Sequence, residues 1–197
     1  MSVILWILFA FFCGSLPFSV WVGRYALHKD VRDFGDGNPG ASNVFRAGGK
    51  GWGALAIVLD FLKGAIPVGL ANFGAGLDGW AITAVALAPI LGHAFSPFLR
   101  LRGGKALAVT FGVWTGLTLW VGPTLLGLSF ALWMWLITVE GWAVLAGMLT
   151  FLAFFQFFPV ESSFEAVWLG NFIILAWKHK VDLRKKPDIR FLNKSGK

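Results

Sequence analysis

Residues 34–51 read FGDGNPGASNVFRAGGKG, and the fold turns on how this stretch is taken. Its segment GDGNPG (35–40) satisfies G-x-G-x-x-G, the loop that cradles a dinucleotide's pyrophosphate. Such a loop follows a strand, opens a helix and is answered by an acidic residue about 20 positions later. Here an apolar run and the charged segment RYALHKDVRDF (24–34) precede it, and Pro39 removes one backbone N–H donor. The α/β reading therefore fails, and the stretch becomes a polar loop between apolar segments.

The rest of the chain agrees. Its 197 residues are 57% hydrophobic and 14% charged, with a mean hydropathy of +0.71, whereas soluble domains carry about 25% charged residues. Seven apolar blocks can be drawn, at about 3–23, 51–75, 80–99, 106–121, 123–139, 141–159 and 164–178. Several approach the roughly 20 residues that cross a bilayer as a helix. The expected fold is all-α: one polytopic membrane domain over 1–197, with about seven transmembrane helices and no linker. Residues 1–6 lack a basic stretch and no small-residue cleavage site follows, so the first block is read as a retained span. Cys13 is the sole cysteine, which excludes an intramolecular disulfide and a cysteine-based metal site. Gly112 and Gly116 form a small-xxx-small pair that would let two helices approach closely in lipid; glycine is also simply common in such helices.

Alternate loops differ sharply in charge. The first loop, the third loop and the C-terminal tail hold 16 of the 17 Lys and Arg residues, while the intervening loops carry Asp78, Glu161 and Glu165 and no cation. By the positive-inside rule the N-terminus lies outside, and the basic loops and tail are cytoplasmic. The loop near Glu140 is assigned inside without a positive charge. A basic face on anionic lipid accounts for the net charge of +7 without a nucleic-acid partner. Lys63, the remaining cation, lies three residues after Asp60 on one face of the second block. A charge there needs a partner, so the two form either a structural pair or the support of a polar site.

Three polar clusters fall on the basic side. In the first, Gly35, Gly37, Gly40, Gly48 and Gly49 permit positive φ and close backbone approach, so successive N–H groups can form a concave nest for an oxyanion. Asn38, Ser42 and Asn43 add donors, and Arg46 can grip two phosphate oxygens. The second, LGHAFSPFLRLRGGKALA (91–108), places Gly103, Gly104 and Lys105 before an apolar block, where free helix N–H groups and an ammonium would meet an anion. The third, WKHKVDL (177–183), has His179 and Asp182 at i, i+3, positioned to face a site together or to sit in a basic interfacial tail. His28 and Asp33 match H-x-x-x-x-D, the pair of thioester-dependent acyltransferases, but the glycine-rich arginine block expected downstream is not evident.

These clusters, with GSLPF (14–18) and LDFLKG (59–64), resemble the bacterial acyl-phosphate-dependent glycerol-3-phosphate acyltransferase family along nearly the whole chain. The resemblance implies a seven-span enzyme of the bacterial inner membrane with a cytoplasmic-face site. Its implied partners are acyl phosphate, glycerol 3-phosphate and membrane lipid, without acyl-CoA, acyl carrier protein, metal or cofactor. It assigns catalytic roles to Arg46, Lys105 and His179. Substrate binding falls to Asp36, Gly37, Asn38, Gly40, Ser42, Asn43, Gly103, Gly104 and Asp182.

Four positions depart from the family pattern. Asp36 stands where Ser is usual, Asp182 where Asn is usual, and Glu140 and Ala143 align with a usual Arg and Ser. A carboxylate about 4 Å from a phosphate costs on the order of 4 kcal/mol at an effective dielectric near 20. Asp36 and Asp182 must therefore be protonated, hydrogen-bond a hydroxyl-rich acceptor, or pair with Arg46 or Lys105. Otherwise the chain is a non-catalytic binder of a phosphorylated lipid or metabolite, or it acylates another acceptor.

Overall fold

The computed structural model describes residues 1–155, 157 and 162–191; Glu161, Lys194, Lys197 and the end of the sixth apolar block lie outside them. Among the described residues the regular elements are all helical, apart from one isolated bridge between Ile137 and Ile189, and turns and irregular segments join them. The helices are α1 (Val3–Ser15), α2 (Phe18–Ala26), α3 (Ala41–Arg46), α4 (Lys50–Gly69), α5 (Gly79–Ala94), α6 (Leu107–Thr118), α7 (Val121–Leu136), α8 (Glu140–Phe154) and α9 (Ser162–Lys178). Three stretches, Val3–Ala26, Lys50–Gly74 and Gly79–Leu99, are long and apolar enough to cross a membrane. Helices α6, α7 and α8 are apolar but shorter.

The first apolar block is not one continuous helix, as its composition suggests, but two. Pro17 has no N–H to donate, and Leu16 before it is pushed out of helical geometry (φ −59°, ψ 121°). The break leaves carbonyls that lipid cannot satisfy, and side chains from two other segments supply donors. Lys63 Nζ donates to the Leu16 carbonyl (2.8 Å) and Ser96 Oγ to that of Ser15 (2.6 Å). Lys63 also pairs with Asp60 at 2.6 Å, and Ser19 Oγ donates to the other Asp60 oxygen at 2.8 Å. The structural reading of Asp60 and Lys63 is thus realised by capping a broken helix, with both residues buried.

Helix α6 packs directly on α4, and the glycines of α6 are the reason. A Cβ at Gly112 would overlap the backbone at Phe61 and Ala65, and one at Gly116 the backbone at Gly69 and Ala65. The small-xxx-small pair is therefore an interface, with α6 the most enclosed helix. Trp114 is fully buried at its centre, where its indole N–H donates to Asn171 and Asn171 donates to Thr110 Oγ1 (3.2 and 3.0 Å). That chain removes the cost of polar atoms in an apolar core.

Two ends of the bundle can be told apart. At one, Asn72 donates to the carbonyls of Gly116 and Leu117, and Thr83 donates to that of Ser163. At the other lie the loop before α4, the segment before α6, the start of α8 and the tail. There, a second and smaller apolar cluster of Val20, Val31, Ala41, Val44 and Ala56, formed by α2, α3 and the start of α4, holds the glycine loop in place.

Candidate functional site

Lys105 is the centre of the polar end. Its ammonium lies 2.6 Å from Glu140 Oε2, 3.0 Å from Asp36 Oδ2 and 3.3 Å from Asp182 Oδ2. Four segments far apart in sequence meet on one nitrogen: the glycine loop, the turn before α6, the first residue of α8 and the tail after α9. Only a compact, multi-donor ammonium suits three acceptors from three directions. Lys185 supports Asp182 at 2.9 Å, and Arg46 stands 3.9 Å from Asp36.

Two donors of the glycine loop are already answered from within. Asp36 Oδ1 accepts from the Asn38 N–H (3.2 Å) and Asn43 Nδ2 (3.1 Å), while its second oxygen meets Lys105. Gly35 and Gly37 take left-handed φ of 60° and 71°, so the chain can wrap around this carboxylate. Of the open alternatives for Asp36, pairing with Lys105 is the realised one. Gly40 does not use positive φ; it is extended (φ −122°) and caps the short α3. Asn43 is buried and also accepts from Arg46 Nη1 (2.9 Å), fixing the guanidinium beside the loop.

Burial works against each charge, yet the partners prevail. For Asp36, burial is outweighed by Lys105, Asn38 and Asn43, which hold its carboxyl below the usual range; for Asp182, Lys185 and Lys105 do the same. Burial would lower Lys105, but Glu140 and Asp36 raise it above an ordinary lysine. The two carboxylates thus add stability above about pH 4, lost as pH falls through their folded values. The Lys105 contribution is present below about pH 10 and is lost at higher pH. Melting temperature measured between pH 5 and 3 is expected to fall, and to fall less in Asp36→Asn and Asp182→Asn variants.

His179 is 1% exposed. Its Nδ1 lies 2.9 Å from the Leu175 carbonyl, which can only accept, so Nδ1 carries the proton. Nε2 has no hydrogen-bond partner, and its nearest charged neighbour is Glu140 Oε1 at 3.9 Å. That is too long for a hydrogen bond. A buried proton acceptor therefore faces the carboxylate cluster unsatisfied.

Two cavities share Asp36, Asn38 and Lys105 as a common wall. One, about 490 Å³, is lined by Gly37, Gly103, Lys178, His179, Asp182 and Lys185. The other, about 390 Å³, holds Gly40, Ser42, Arg46 and Glu140 and extends over the first turn of α6 to apolar Ile57, Leu107 and Phe111. Gly104 lines neither; it packs against the His93 ring, where a Cβ would not fit. His28 and Asp33 also line neither cavity.

Two groups at the site, His93 and Lys178, were not singled out from sequence. Asp60 and His93 border the second cavity, which gives Asp60 a place beside the site as well as its structural pair. Lys178 Nζ donates to the carbonyls of Ala94 and Gly103, tying α9 to the segment before α6. Glu140 is central, and its signal was an acid in a loop on the basic side that holds no cation: its cation comes from Lys105.

A bundle of apolar helices with one polar end, where a glycine-rich loop, an arginine, a lysine and a histidine surround paired cavities, defines an integral membrane protein built to handle phosphorylated substrates. The glycerol-3-phosphate acyltransferase family model matches residues 4–186. Relatives of that name are 40% identical in Rubrobacter xylanophilus (93% of this chain, 91% of the relative) and 38% in Thermotoga maritima (79% and 84%). The chain belongs to the glycerol-3-phosphate acyltransferase family. Among solved structures it is similar to PlsY (YgiH), an integral membrane glycerol 3-phosphate acyltransferase. The glycerol 3-phosphate form has a TM-score of 0.84 and 28% identity, covering 93% of this chain and 91% of that one; the lysophosphatidic acid form scores 0.82 at 27%, with the same coverage.

Proposed function

We propose that the protein transfers a fatty acyl group from acyl phosphate to the sn-1 hydroxyl of glycerol 3-phosphate, releasing phosphate and forming lysophosphatidic acid. The paired cavities carry this reading. The chamber that runs to Ile57, Leu107 and Phe111 suits a donor with a hydrocarbon chain, its phosphate at Arg46 and the first turn of α6. The chamber with Gly103, His179 and Lys185 suits a small phosphorylated polyol.

The donor is an activated mixed anhydride, so no nucleophilic side chain is required. The acceptor hydroxyl attacks the acyl carbon; its O–H bond breaks as the new C–O bond forms and the bond to phosphate breaks. His179 Nε2 takes the hydroxyl proton, since Nδ1–H is held by Leu175 and Glu140 stands ready to stabilise the resulting imidazolium. The departing phosphate then accepts that proton. Lys105 balances charge at the shared wall, where it passes from protein carboxylates to substrate oxygens.

The same reading places the site on the cytoplasmic face of the bacterial inner membrane, with seven crossings and the N-terminus outside. Its support is that the cation-bearing loops and the described part of the tail gather at one end of the bundle, while Asp78 and Glu165 lie toward the other. Purified protein given palmitoyl phosphate and glycerol 3-phosphate is expected to release phosphate and form lysophosphatidic acid. No product with either acyl phosphate or acyl-CoA, under conditions where the Thermotoga maritima relative turns over, would overturn this function.

A second reading is favoured by one observation: Asp36 occupies the donors an incoming phosphate would use. On that reading the chain binds a phosphorylated molecule without transferring acyl groups. It predicts an inactive parent and activity on combining Asp36→Ser, Glu140→Arg, Ala143→Ser and Asp182→Asn. An active parent rules it out.

A further inference from the structure

The cations at the reaction centre are committed to protein acceptors: Lys105 to three carboxylates, Lys185 to Asp182, Lys178 to two carbonyls, and Arg46 to Asn43. One step outward lies a larger cavity, about 710 Å³, where the pattern reverses. It is lined by Arg32, Arg100 and Arg102 and by no carboxylate. Among the described residues, the guanidinium groups of Arg100 and Arg102 make no hydrogen bond or ion pair. Arg32 is held by Asp30 through Nε and Nη2, which orients its plane and leaves Nη1 available.

The cavity borders the site, because Gly37, Pro39 and Arg102 line both it and the His179 chamber. Apolar surface lies beside the guanidinium groups: Phe98 is 54% exposed and lines the cavity, and Leu101, between the two free arginines, is 61% exposed. Arg100 and Arg102 bring unpaired guanidiniums to the cavity, Arg32 adds a third that Asp30 holds, and uncovered apolar side chains lie beside them; together these suit a phosphate head on a single hydrocarbon chain.

We propose that the Arg32/Arg100/Arg102 cavity is a second phosphate-binding site. It holds the phosphate of a single-chain amphiphile beside the reaction centre, as donor before transfer or product after it. This assignment concerns binding and stands apart from turnover. Lys105 is neutralised by carboxylates, whereas Arg100 and Arg102 are uncommitted and Arg32 is held by Asp30 alone.

The test uses the full-length protein in neutral detergent, with dodecyl phosphate and inorganic phosphate as probes in titration calorimetry. Lys105→Gln is the background, so that the reaction centre contributes less. Arg100→Gln with Arg102→Gln is expected to weaken dodecyl phosphate binding about tenfold or more. The paired Lys substitutions should retain part of the affinity and report on folding through unchanged circular dichroism and gel-filtration profiles. Arg184→Gln with Lys186→Gln removes the same charge from exposed tail positions and should change affinity less than twofold. Inorganic phosphate should bind the unaltered cavity at least about tenfold more weakly than dodecyl phosphate. Unchanged affinity in the Gln pair, an equal loss in the tail pair, or equal affinity for the two probes overturns the proposal. A protein that binds dodecyl phosphate here yet transfers no acyl group would refute the transfer reaction and leave this site standing.

Discussion

With Lys105 replaced by methionine, acyl transfer is expected to fall on the order of 10³-fold in kcat/KM, the loss typical of removing a central charge-stabilising donor. The expectation rests on what the ammonium joins. It is the one cation within 3.3 Å of Asp36, Glu140 and Asp182 together, and it forms the wall between the two cavities. Without it, three carboxylates face one another across the place where substrate oxygens must sit. Phosphate binding should weaken along with catalysis, so KM for glycerol 3-phosphate should rise while kcat falls. Lys105→Arg should not restore the parent rate, because a planar fork cannot reach three acceptors set in three directions. A phosphate-release assay on protein with an unchanged gel-filtration profile checks this, and a Lys105→Met variant within about tenfold of the parent rate would remove Lys105 from the centre of the mechanism.

The largest loss of stability is expected from Lys63→Met. This change leaves the Asp60 carboxylate buried with Ser19 as its remaining hydrogen-bond donor, and frees the Leu16 carbonyl at the break between α1 and α2. Removing one partner of a buried ion pair costs about 3–5 kcal/mol, a large share of the 5–15 kcal/mol by which proteins are stable. Adding Asp60→Asn should recover much of that loss, since no unpaired charge remains; the recovery measures the coupling between the two residues. Thermal unfolding in detergent followed by circular dichroism reads both. A single variant as stable as the parent would show that the break does not depend on the ammonium.

The two sets of acids in this chain play different physical parts. Asp60 belongs to the fold: it orients a lysine that satisfies backbone exposed by Pro17. Asp36, Glu140 and Asp182 belong to the site, where they pre-neutralise its central cation. The cost of a carboxylate near a phosphate is met here by Lys105, Lys185 and Arg46 in the resting state. An incoming dianion must then exchange with protein carboxylates rather than with water. This explains how a chain can keep the family's lysine, arginine and histidine while changing the groups around them.

Much of this architecture is legible in the residues. Hydropathy locates every long helix, because the bilayer leaves backbone groups no partner but their own helix. The close approach at Gly112 and Gly116 is readable as a spacing, and the gathering of loops at one end follows from charge alone. The break at Pro17 is visible as a proline, but its consequence is not: which donors answer the freed carbonyls depends on Lys63 and Ser96, placed by packing 47 and 81 positions away. Gly104 likewise belongs to a phosphate-binding pattern by sequence, and only the tertiary structure shows that it also packs against the His93 ring.

The sequence by itself determined a helical membrane protein and the gathering of its cations in alternate loops, and its resemblance to the family named Arg46, Lys105 and His179 as the groups to watch. Composition and the spacing of charges are local properties, and they suffice for the helices and the charge asymmetry. Only the tertiary structure decided that Lys105 joins Asp36, Glu140 and Asp182, that His179 keeps an unpaired nitrogen, and that the free guanidiniums lie beside the reaction centre rather than in it. Those facts depend on distances of a few ångströms between segments up to 146 residues apart, from Asp36 to Asp182. Helix packing sets such distances, and spacing along the chain does not record them.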